Sequence, residues 1–286
     1  MKFKSAARSA ARSAALDILS TAHQARGKTS AALAAPHVQL PYLHNLPAED
    51  EDNFRRIVGR LAETHEFVSY SDAITRIASG YIDRPYAAFS FDDGFVSNLR
   101  AASILEEFGA RGMFFVPTDF IGTRTTAEAR EFFGFSDGVY EGAMTWGDLE
   151  DLKSRGHEIG NHTSGHKVLS WVSPAQAIDQ IHSGADAIRA VLGDCEHFAW
   201  PRGRYFHMTN AAVKAVFDSG HTSCTSAERG AHAAGPRTDP SRVCFHRNHV
   251  IASWPQRHID YFMAAAASNA AARKSDWSYV LEAPTI

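Results

Sequence analysis

The sequence contains little cysteine and lacks several of the motifs that mark common protein classes. Its three cysteines, Cys195, Cys224 and Cys244, form an odd set without CxxC spacing. That count argues against a disulfide framework and against a thiolate zinc site. No stretch reaches the roughly 18 apolar residues of a membrane span. A GxGxxG or GxxxxGK[ST] loop is also missing, which removes the common phosphate-cradling motifs from consideration.

A strong net charge is likewise missing. Lys and Arg number 29 against 32 Asp and Glu, which gives a formal net charge of −3. No global basic field would recruit nucleic acid, and we expect no nucleic-acid partner. With 286 residues, 44% of them hydrophobic, the chain can bury a real core. The unusual abundance is histidine, with 15 residues, which directs attention to imidazole chemistry.

The N-terminal stretch, residues 1–35, is basic and rich in alanine and serine, and its composition predicts a helix. Arg8, Arg12 and Asp17 interrupt any apolar core, so a secretory signal is not predicted and we expect a cytoplasmic protein. The helix either makes a peripheral contact with an anionic membrane surface or a partner, or is simply solvated or loosely docked. We expect an N-terminal extension over 1–35 and one catalytic domain over 36–286.

After this extension, short apolar strands alternate with amphipathic helices. Strands are predicted at 38–44, 86–91, 113–116, 158–160, 197–200, 221–225 and 243–245. Helices are predicted at 51–65, 71–80, 97–108, 146–154, 174–192, 210–217 and 261–272. Repeated strand–helix units indicate an α/β fold with parallel strands, and about seven units favour a closed or nearly closed barrel. Residues 121–143, with the aromatic residues Phe135 and Tyr140, are predicted to form a long surface loop.

Polar residues follow two of the predicted strands, and the ends of parallel strands gather on one face of a barrel. Asp92 and Asp93 follow one strand, and His162 and His166 follow another. On a helical turn, two histidines four residues apart share a face and can bind one ion. An added carboxylate completes a three-ligand site with an open position, and a second carboxylate can serve as general base. Asp92-Asp93-Gly94 alone would also suit an ordinary turn, so the joint occurrence favours a metal centre.

Two segments carry a family resemblance. The FSFDDGF segment at 89–95 and the GHEIGNHTSGH segment at 156–166 resemble the first two motifs of the polysaccharide deacetylase family. These are the chitooligosaccharide-deacetylase-type carbohydrate esterases, or NodB homology domains, and the resemblance extends from about Val38 to Val250. It implies a distorted (β/α) barrel with about seven parallel strands. It also implies a metal-dependent hydrolase that removes N-acetyl or O-acetyl groups from a carbohydrate.

The resemblance implies a role for each motif residue. Asp93, His162 and His166 would hold a divalent metal, most often Zn²⁺. Asp92 would be the general base that takes a proton from the attacking water. A backbone N–H near Arg202 would help to stabilise the oxyanion of the tetrahedral intermediate.

The third motif departs from the family pattern. The family often has an arginine that orients the catalytic aspartate, at the position where this chain has Ala199. A branch of the family carries (Tyr/Trp)-Pro-x-Gly here, as this chain does from Trp200 onward, so activity is not excluded. Arg202, Arg204 and Arg247 are candidates to replace the missing arginine, and the sequence does not choose between them.

The last motif, a Leu-x-His segment whose histidine protonates the leaving group, has its nearest match at 245–249. Strand alternation puts His246 and His249 on opposite faces or at different depths, and we favour His249 as the catalytic acid. Three residues are candidates for substrate binding: His44, at a strand end; Trp200, whose alternative is core packing; and Arg202.

Three hypotheses follow. The first is a metal-dependent carbohydrate deacetylase, acting on amide C–N bonds or acetyl esters. The second is a hydrolase of small N-acyl or N-formyl compounds that uses the same metal centre. The third is a deacetylase-like carbohydrate-binding protein without catalysis, against which the intact pair Asp92 and Asp93 argues because a binder has no need of both carboxylates.

Overall fold

The computed structural model describes residues 2–123, 125–134 and 141–282, so Phe135 and Tyr140 of the predicted loop lie outside the described residues. The helices are α1 (Lys2–Ala25), α2 (Lys28–Ala34), α3 (Glu51–Ala62), α4 (Tyr70–Ser79), α5 (Asn98–Glu107), α6 (Thr126–Phe133), α7 (Trp146–Ser154), α8 (Pro174–Leu192), α9 (Asn210–Asp218), α10 (Gln256–Ser268) and α11 (Trp277–Glu282). The strands are β1 (His37–Gln39), β2 (Pro41–Leu43), β3 (Glu66–Phe67), β4 (Pro85–Ala87), β5 (Phe89–Asp92), β6 (Gly112–Val116), β7 (Glu158–Asn161), β8 (His197–Ala199), β9 (Ser223–Thr225), β10 (Ala231–His232), β11 (Cys244–Phe245) and β12 (Asn248–His249).

The main sheet has eight strands in the order β11-β9-β8-β7-β6-β5-β2-β12, and every neighbouring pair is parallel. Helices flank this curled sheet, which gives the predicted distorted (β/α) barrel with eight parallel strands where about seven were expected. Strands β5 and β6 are buried throughout, as expected for parallel strands covered on both faces. Phe91 and Phe114 stack between them with ring centroids 5.1 Å apart.

The barrel closes through one short segment. Strands β11 and β12 stand at opposite edges of the sheet, yet only His246 and Arg247 separate them in sequence. Ser226 N–H donates to Phe245 O at 2.8 Å on the β9 side, and Val250 N–H donates to Tyr42 O at 2.9 Å on the β2 side. Because one segment bonds to both edges, Arg247 lies in the seam where they meet.

A second, four-stranded sheet in the order β10-β1-β4-β3 corrects two of the predicted strands. The predicted strand 38–44 is divided into β1 and β2, and 86–91 is divided into β4 and β5. Strand β1 pairs with β4 in the small sheet, while β2 pairs with β5 in the barrel. The β1–β2 and β4–β5 segments pass from the small sheet to the main sheet side by side, and Ala88 N–H donates to Gln39 O at 3.1 Å at this point.

The predicted loop 121–143 contains a helix, so that prediction is wrong for its central part. Helix α6 begins at a capping box in which Thr125 and Glu128 satisfy each other's backbone N–H groups. Phe133 on this helix packs against Phe120, with ring centroids 4.8 Å apart. Phe132 and Phe133 of this segment therefore belong to a small satellite core together with Phe95 and Phe120.

The residues before β1 form helices α1 and α2, both of which pack on α10. Asp17 on α1 accepts hydrogen bonds from Arg257 and His258 at the start of α10. The rings of His23 and Tyr261 meet edge to face, 5.0 Å apart. Among the described helices, none combines the length and the apolarity that crossing a membrane requires.

Candidate active site

Asp93, His162 and His166 come together at the C-terminal ends of β5 and β7. Asp93 Oδ1 lies 3.2 Å from His166 Nε2 and 3.6 Å from His162 Nε2. One ligand atom from each residue lies within 4.8 Å of the others. Asp93 Oδ1 is buried and has no well-aligned hydrogen-bond donor among the described residues. One carboxylate oxygen and two imidazole nitrogens facing a common point fit a divalent metal with an open coordination position.

The orientation of His162 is fixed by the backbone. Its Nδ1–H lies 2.6 Å from Ala199 O, which leaves Nε2 without a proton on the side that faces Asp93. Burial lowers the pKa of His162 to about 4, so the ring is neutral near pH 7. Neutral imidazole is the form that binds a metal.

The two histidines reach the site from a loop rather than from a helical turn, which corrects that part of the sequence interpretation. Strand β7 ends at Asn161, and Thr163 and His166 then adopt positive φ angles of 68° and 52°. Asn161 Oδ1 accepts a hydrogen bond from Thr163 N–H at 2.8 Å, which folds the loop back on itself. A Cβ on Gly184 of α8 would lie 2.4 Å from Asn161 Oδ1, so the loop packs where only glycine fits.

Asp92 is held by Arg247 from the barrel seam. Arg247 Nη1 and Nη2 donate to the two carboxylate oxygens of Asp92 at 2.6 and 2.8 Å. Both side chains are buried, Arg247 completely. Burial alone would raise the pKa of Asp92, but the guanidinium charge lowers it below its usual value and keeps the carboxylate ionised.

The remaining contacts of Arg247 fix the guanidinium itself. Its Nε donates to Ser226 O at 3.0 Å, and Nη1 also reaches Ser90 Oγ at 3.2 Å. The guanidinium lies 4.3 Å from the centre of the Tyr42 ring and 5.2 Å from that of Phe115. With its nitrogens hydrogen-bonded and two aromatic rings close by, the guanidinium of Arg247 holds Asp92 in one orientation.

The structure therefore distinguishes the three arginines that the sequence left open. Arg247 bonds to Asp92, whereas Arg204 pairs with Glu228 at 3.0 Å and Arg202 is exposed at the cavity wall. Of the three candidates, Arg247 is therefore the one that contacts Asp92, and it lies far along the chain from Ala199 of the third motif.

A cavity of about 410 Å³ opens over these residues. Its lining residues are Tyr42, His44, Asn45, Asp92, Asp93, Phe95, His162, His166, Trp200, Arg202, Gly203, Ala227, His249, Val250 and Ile251. All eight site residues predicted from the sequence are in this set. Trp200 is only 1% exposed and donates its Nε1–H to Arg204 O at 3.1 Å, so packing accounts for most of its surface.

The two candidate acids occupy different environments. His249 lines the cavity, and its ring centroid lies 5.2 Å from that of His44 and 4.9 Å from that of Tyr42. His246 lies behind the wall, with Nε2 2.6 Å from Tyr205 Oη. Burial, followed by the nearby His44, lowers the pKa of His249 to about 3, so this ring is neutral near pH 7.

Backbone strain concentrates at this site. Among the described residues, the non-glycine positions with positive φ are Asp93, Thr163, His166 and Arg202, and all four border the centre. Such conformations cost free energy and persist where the surroundings require them, as at active sites. The backbone N–H of Arg202 donates to none of the described residues, which leaves it available to a ligand.

Sequence reasoning missed three supports of the site. Ser90 and the Ser226 carbonyl fix Arg247, and Asn161 shapes the histidine loop. Ser90 stands two residues before Asp92 on the same face of β5, which was the available signal for it. The contact with Ser226 depends on barrel closure and leaves no local signal in the sequence.

The fold and the site define a (β/α) barrel with a candidate metal centre at the C-terminal ends of its strands. Residues 80–221 match the family model described as polysaccharide deacetylase, and this region contains Asp92, Asp93, His162 and His166. This match confirms the resemblance predicted from the sequence. No curated protein sequence matches the chain.

Solved structures with the same fold are similar to this chain at low sequence identity. The Streptococcus pyogenes deacetylase PplD, solved in complex with acetate, is 16% identical with a TM-score of 0.60, over 80% of this chain and 98% of that one. IcaB from Ammonifex degensii is 18% identical with a TM-score of 0.59, over 82% and 97%. The BpsB deacetylase domain from Bordetella bronchiseptica is 17% identical with a TM-score of 0.57, over 75% and 96%.

Proposed function

We propose that the protein is a metal-dependent hydrolase that removes acetyl groups from a carbohydrate. The observation that carries the proposal is the pairing of two environments on adjacent residues. Asp93 faces two imidazoles, whereas Asp92 is clamped by a buried arginine beside the same cavity. The match of residues 80–221 to the polysaccharide deacetylase model supports carbohydrate as the substrate class.

Asp93, His162 and His166 would hold the ion, and two imidazoles with a carboxylate suit Zn²⁺. When bound, the ion would polarise the acetyl carbonyl and make water more acidic. Asp93, His162 and His166 all line the cavity, so an acetyl group that enters the cavity would reach the ion.

Asp92 is the base in this proposal. It takes a proton from the water that attacks the acetyl carbonyl, and Arg247 keeps it ionised and aimed before the reaction. The backbone N–H of Arg202, which donates to none of the described residues, would donate to the oxyanion that develops on the carbonyl oxygen. Acetate and an amine or alcohol are the products.

The leaving nitrogen or oxygen needs the proton that Asp92 has taken. We assign His249 to the leaving group, because His249 lines the cavity on the side away from His162 and His166 along the sheet order. A ring that is neutral near pH 7 brings no extra proton. His249 therefore donates an N–H hydrogen bond that orients the leaving group, while the transferred proton comes from Asp92.

The test measures the release of acetate, or of formate from the N-formyl substrates, by chelated protein before and after zinc is restored. The panel comprises chitotetraose for N-acetyl groups, acetylated xylo-oligosaccharides for O-acetyl groups, and small N-acetyl and N-formyl amides. Zinc-dependent acetate release from a carbohydrate is the expected result. Release from the small amides alone would make the protein a small-amide hydrolase, and zinc binding without any release would make it a binding protein.

Asp92→Asn separates the two roles of the adjacent acids. The variant should bind zinc as the native protein does and release no acetate, because the base is lost while Asp93 remains. Asp186→Asn, at an exposed position on α8, is the matched control and should keep native turnover. Native turnover by Asp92→Asn would remove Asp92 as the base.

A further inference from the structure

A second cavity adjoins the one over the candidate metal centre. It encloses about 370 Å³ and shares four lining residues with the first cavity: Tyr42, Arg202, Ala227 and His249. A ligand group in this second cavity would therefore lie directly beside a sugar whose acetyl group reaches Asp93. We call this second cavity the arginine pocket, after the residues described next.

Four arginines line the arginine pocket, namely Arg202, Arg204, Arg229 and Arg273, and the only acid in its wall is Glu228. Arg204 is neutralised by Glu228 at 3.0 Å. Among the described residues, no carboxylate forms an ion pair with any of the other three arginines. Because the whole chain carries a net charge of −3, this positive concentration is local.

Arg229 is held in place without an anionic partner. Its guanidinium lies 4.4 Å from the centre of the Phe262 ring and 5.5 Å from that of Trp254. Nη1 is shut off from solvent and has no hydrogen-bond partner among the described residues. Burial lowers the pKa of Arg229 from its ordinary value, which reflects the same loss of hydration. A partly desolvated guanidinium without an anionic partner gains strongly from an oxyanion that meets the part of it lining the pocket.

Arg273 reaches the pocket beside Gly230. A Cβ on Gly230 would lie 2.8 Å from His246 Cβ, too close to fit without a shift, but would be in ordinary contact, at 3.6 Å, with Arg273 Nε. Within the described part of the chain, the Arg273 side chain makes one hydrogen bond, from Nη2 to the neutral Tyr205 Oη at 3.1 Å. Most of its five donors therefore remain for a ligand.

We propose that the arginine pocket binds an oxyanion carried by the carbohydrate, so that the preferred substrate is an acetylated anionic glycan. The anion is a carboxylate, as on a uronic acid residue, or a phosphate on the sugar. Arg229 and Arg273 bind this anion while the acetylated sugar lies over Asp93. This inference rests on the proposed function for the reaction, but the binding step can be measured without turnover.

The experiment compares matched ligands by tryptophan fluorescence, which Trp254 beside Arg229 makes suitable. A hyaluronan tetrasaccharide is compared with the same tetrasaccharide after its carboxylates are reduced to alcohols. N-acetylglucosamine 1-phosphate is compared with the methyl glycoside of N-acetylglucosamine. Each titration is run on native protein and on Arg229→Gln, Arg273→Gln and the exposed control Arg237→Gln.

Native protein should bind one of the two anionic ligands at least tenfold more tightly than its neutral match, and the pair that shows this identifies the anion. Arg229→Gln and Arg273→Gln should each reduce that preference at least fivefold, whereas Arg237→Gln should retain it. Arg273 is exposed, so its variant stays informative if Arg229→Gln fails to fold. Equal affinity within both pairs, or a preference that survives both pocket variants, would overturn the proposal.

The assay keeps this inference separate from the proposed function. Charge-selective binding with no acetate release from any ligand would support the arginine pocket and count against deacetylation. Acetate release with the same kcat/KM for charged and neutral ligands would support deacetylation and refute the arginine pocket.

Discussion

The buried pair between Arg247 and Asp92 makes the account sharply testable. Arg247→Met still fills the seam with a long side chain. It removes the charge and all four hydrogen bonds of the guanidinium, two of them to Asp92 at 2.6 and 2.8 Å. Breaking one partner of a buried pair typically costs about 3–5 kcal/mol, because the other charge stays buried without compensation. Asp92, 3% exposed, would be left in that condition.

For a chain of this size, each kcal/mol lowers Tm by about 2–4 °C, so Arg247→Met should melt about 6–20 °C below the native protein. Its kcat for acetate release should fall about a hundredfold or more, since a base that is misaimed loses most of its contribution. Arg247→Lys keeps the charge without the two-pronged geometry and should lie between the native protein and Arg247→Met in both measurements.

A double-mutant cycle in urea unfolding isolates the pair. Asp92→Asn and Arg247→Met should each lower the free energy of unfolding. The double variant should lose about 2 kcal/mol or more less than the sum of the two single losses, because no unpaired charge remains. Arg56→Met, at an exposed position, controls for the loss of an arginine. Additive effects of the two buried substitutions would refute the reasoning.

Three further predictions concern other parts of the molecule. Burial lowers the pKa of His197 to about 4, so its contribution to stability is complete above pH 6.5 and is lost as the pH falls from 6.5 toward 4. The native protein loses unfolding free energy between pH 6.5 and pH 5, and His197→Gln should reduce that loss by about 2 kcal/mol. His249→Ala should lower kcat about a hundredfold, while His249→Gln, which keeps an N–H donor, should retain more activity in the same assay. Gly184→Ala should destabilise the protein by about 2 kcal/mol and weaken zinc binding in equilibrium dialysis, because its Cβ would overlap Asn161 Oδ1.

Each of these has its own contradicting outcome. An unchanged acid loss in His197→Gln, measured beside the half-buried His182→Gln as control, would show that burial does not suppress protonation there. Equal activity of the Ala and Gln variants at His249 would remove its hydrogen bond from the mechanism. Native zinc affinity in Gly184→Ala would show that the histidine loop tolerates displacement.

Local signals predicted the elements that they are able to specify. Helix α8 occupies the predicted residues, 174–192, and begins at Pro174 as expected; in the structure Ser173 caps its start and Gly193 follows its end. Strands β10 and β12 contain two residues each and exist through their partners, so no local pattern could have shown them. Helix α6 does have a local signal, the capping box of Thr125 and Glu128, but the composition of the surrounding segment is typical of a loop.

The candidate site divides in the same way. Asp92, Asp93, His162 and His166 follow strands whose register brings strand ends together, so motif and topology together were sufficient to predict their meeting. Arg247 reaches Asp92 only because the barrel closes through its own segment, and the sequence could do no more than include it among three arginines.

The most direct test of the account is a zinc titration of chelated protein followed by acetate release. If Asp93, His162 and His166 form the metal centre and Asp92 the base, activity should rise in proportion to added zinc and level off at one equivalent. Asp92→Asn should bind the same one equivalent and remain inactive. Full acetate release from metal-free protein, or zinc uptake undiminished in His162→Ala, would contradict the account.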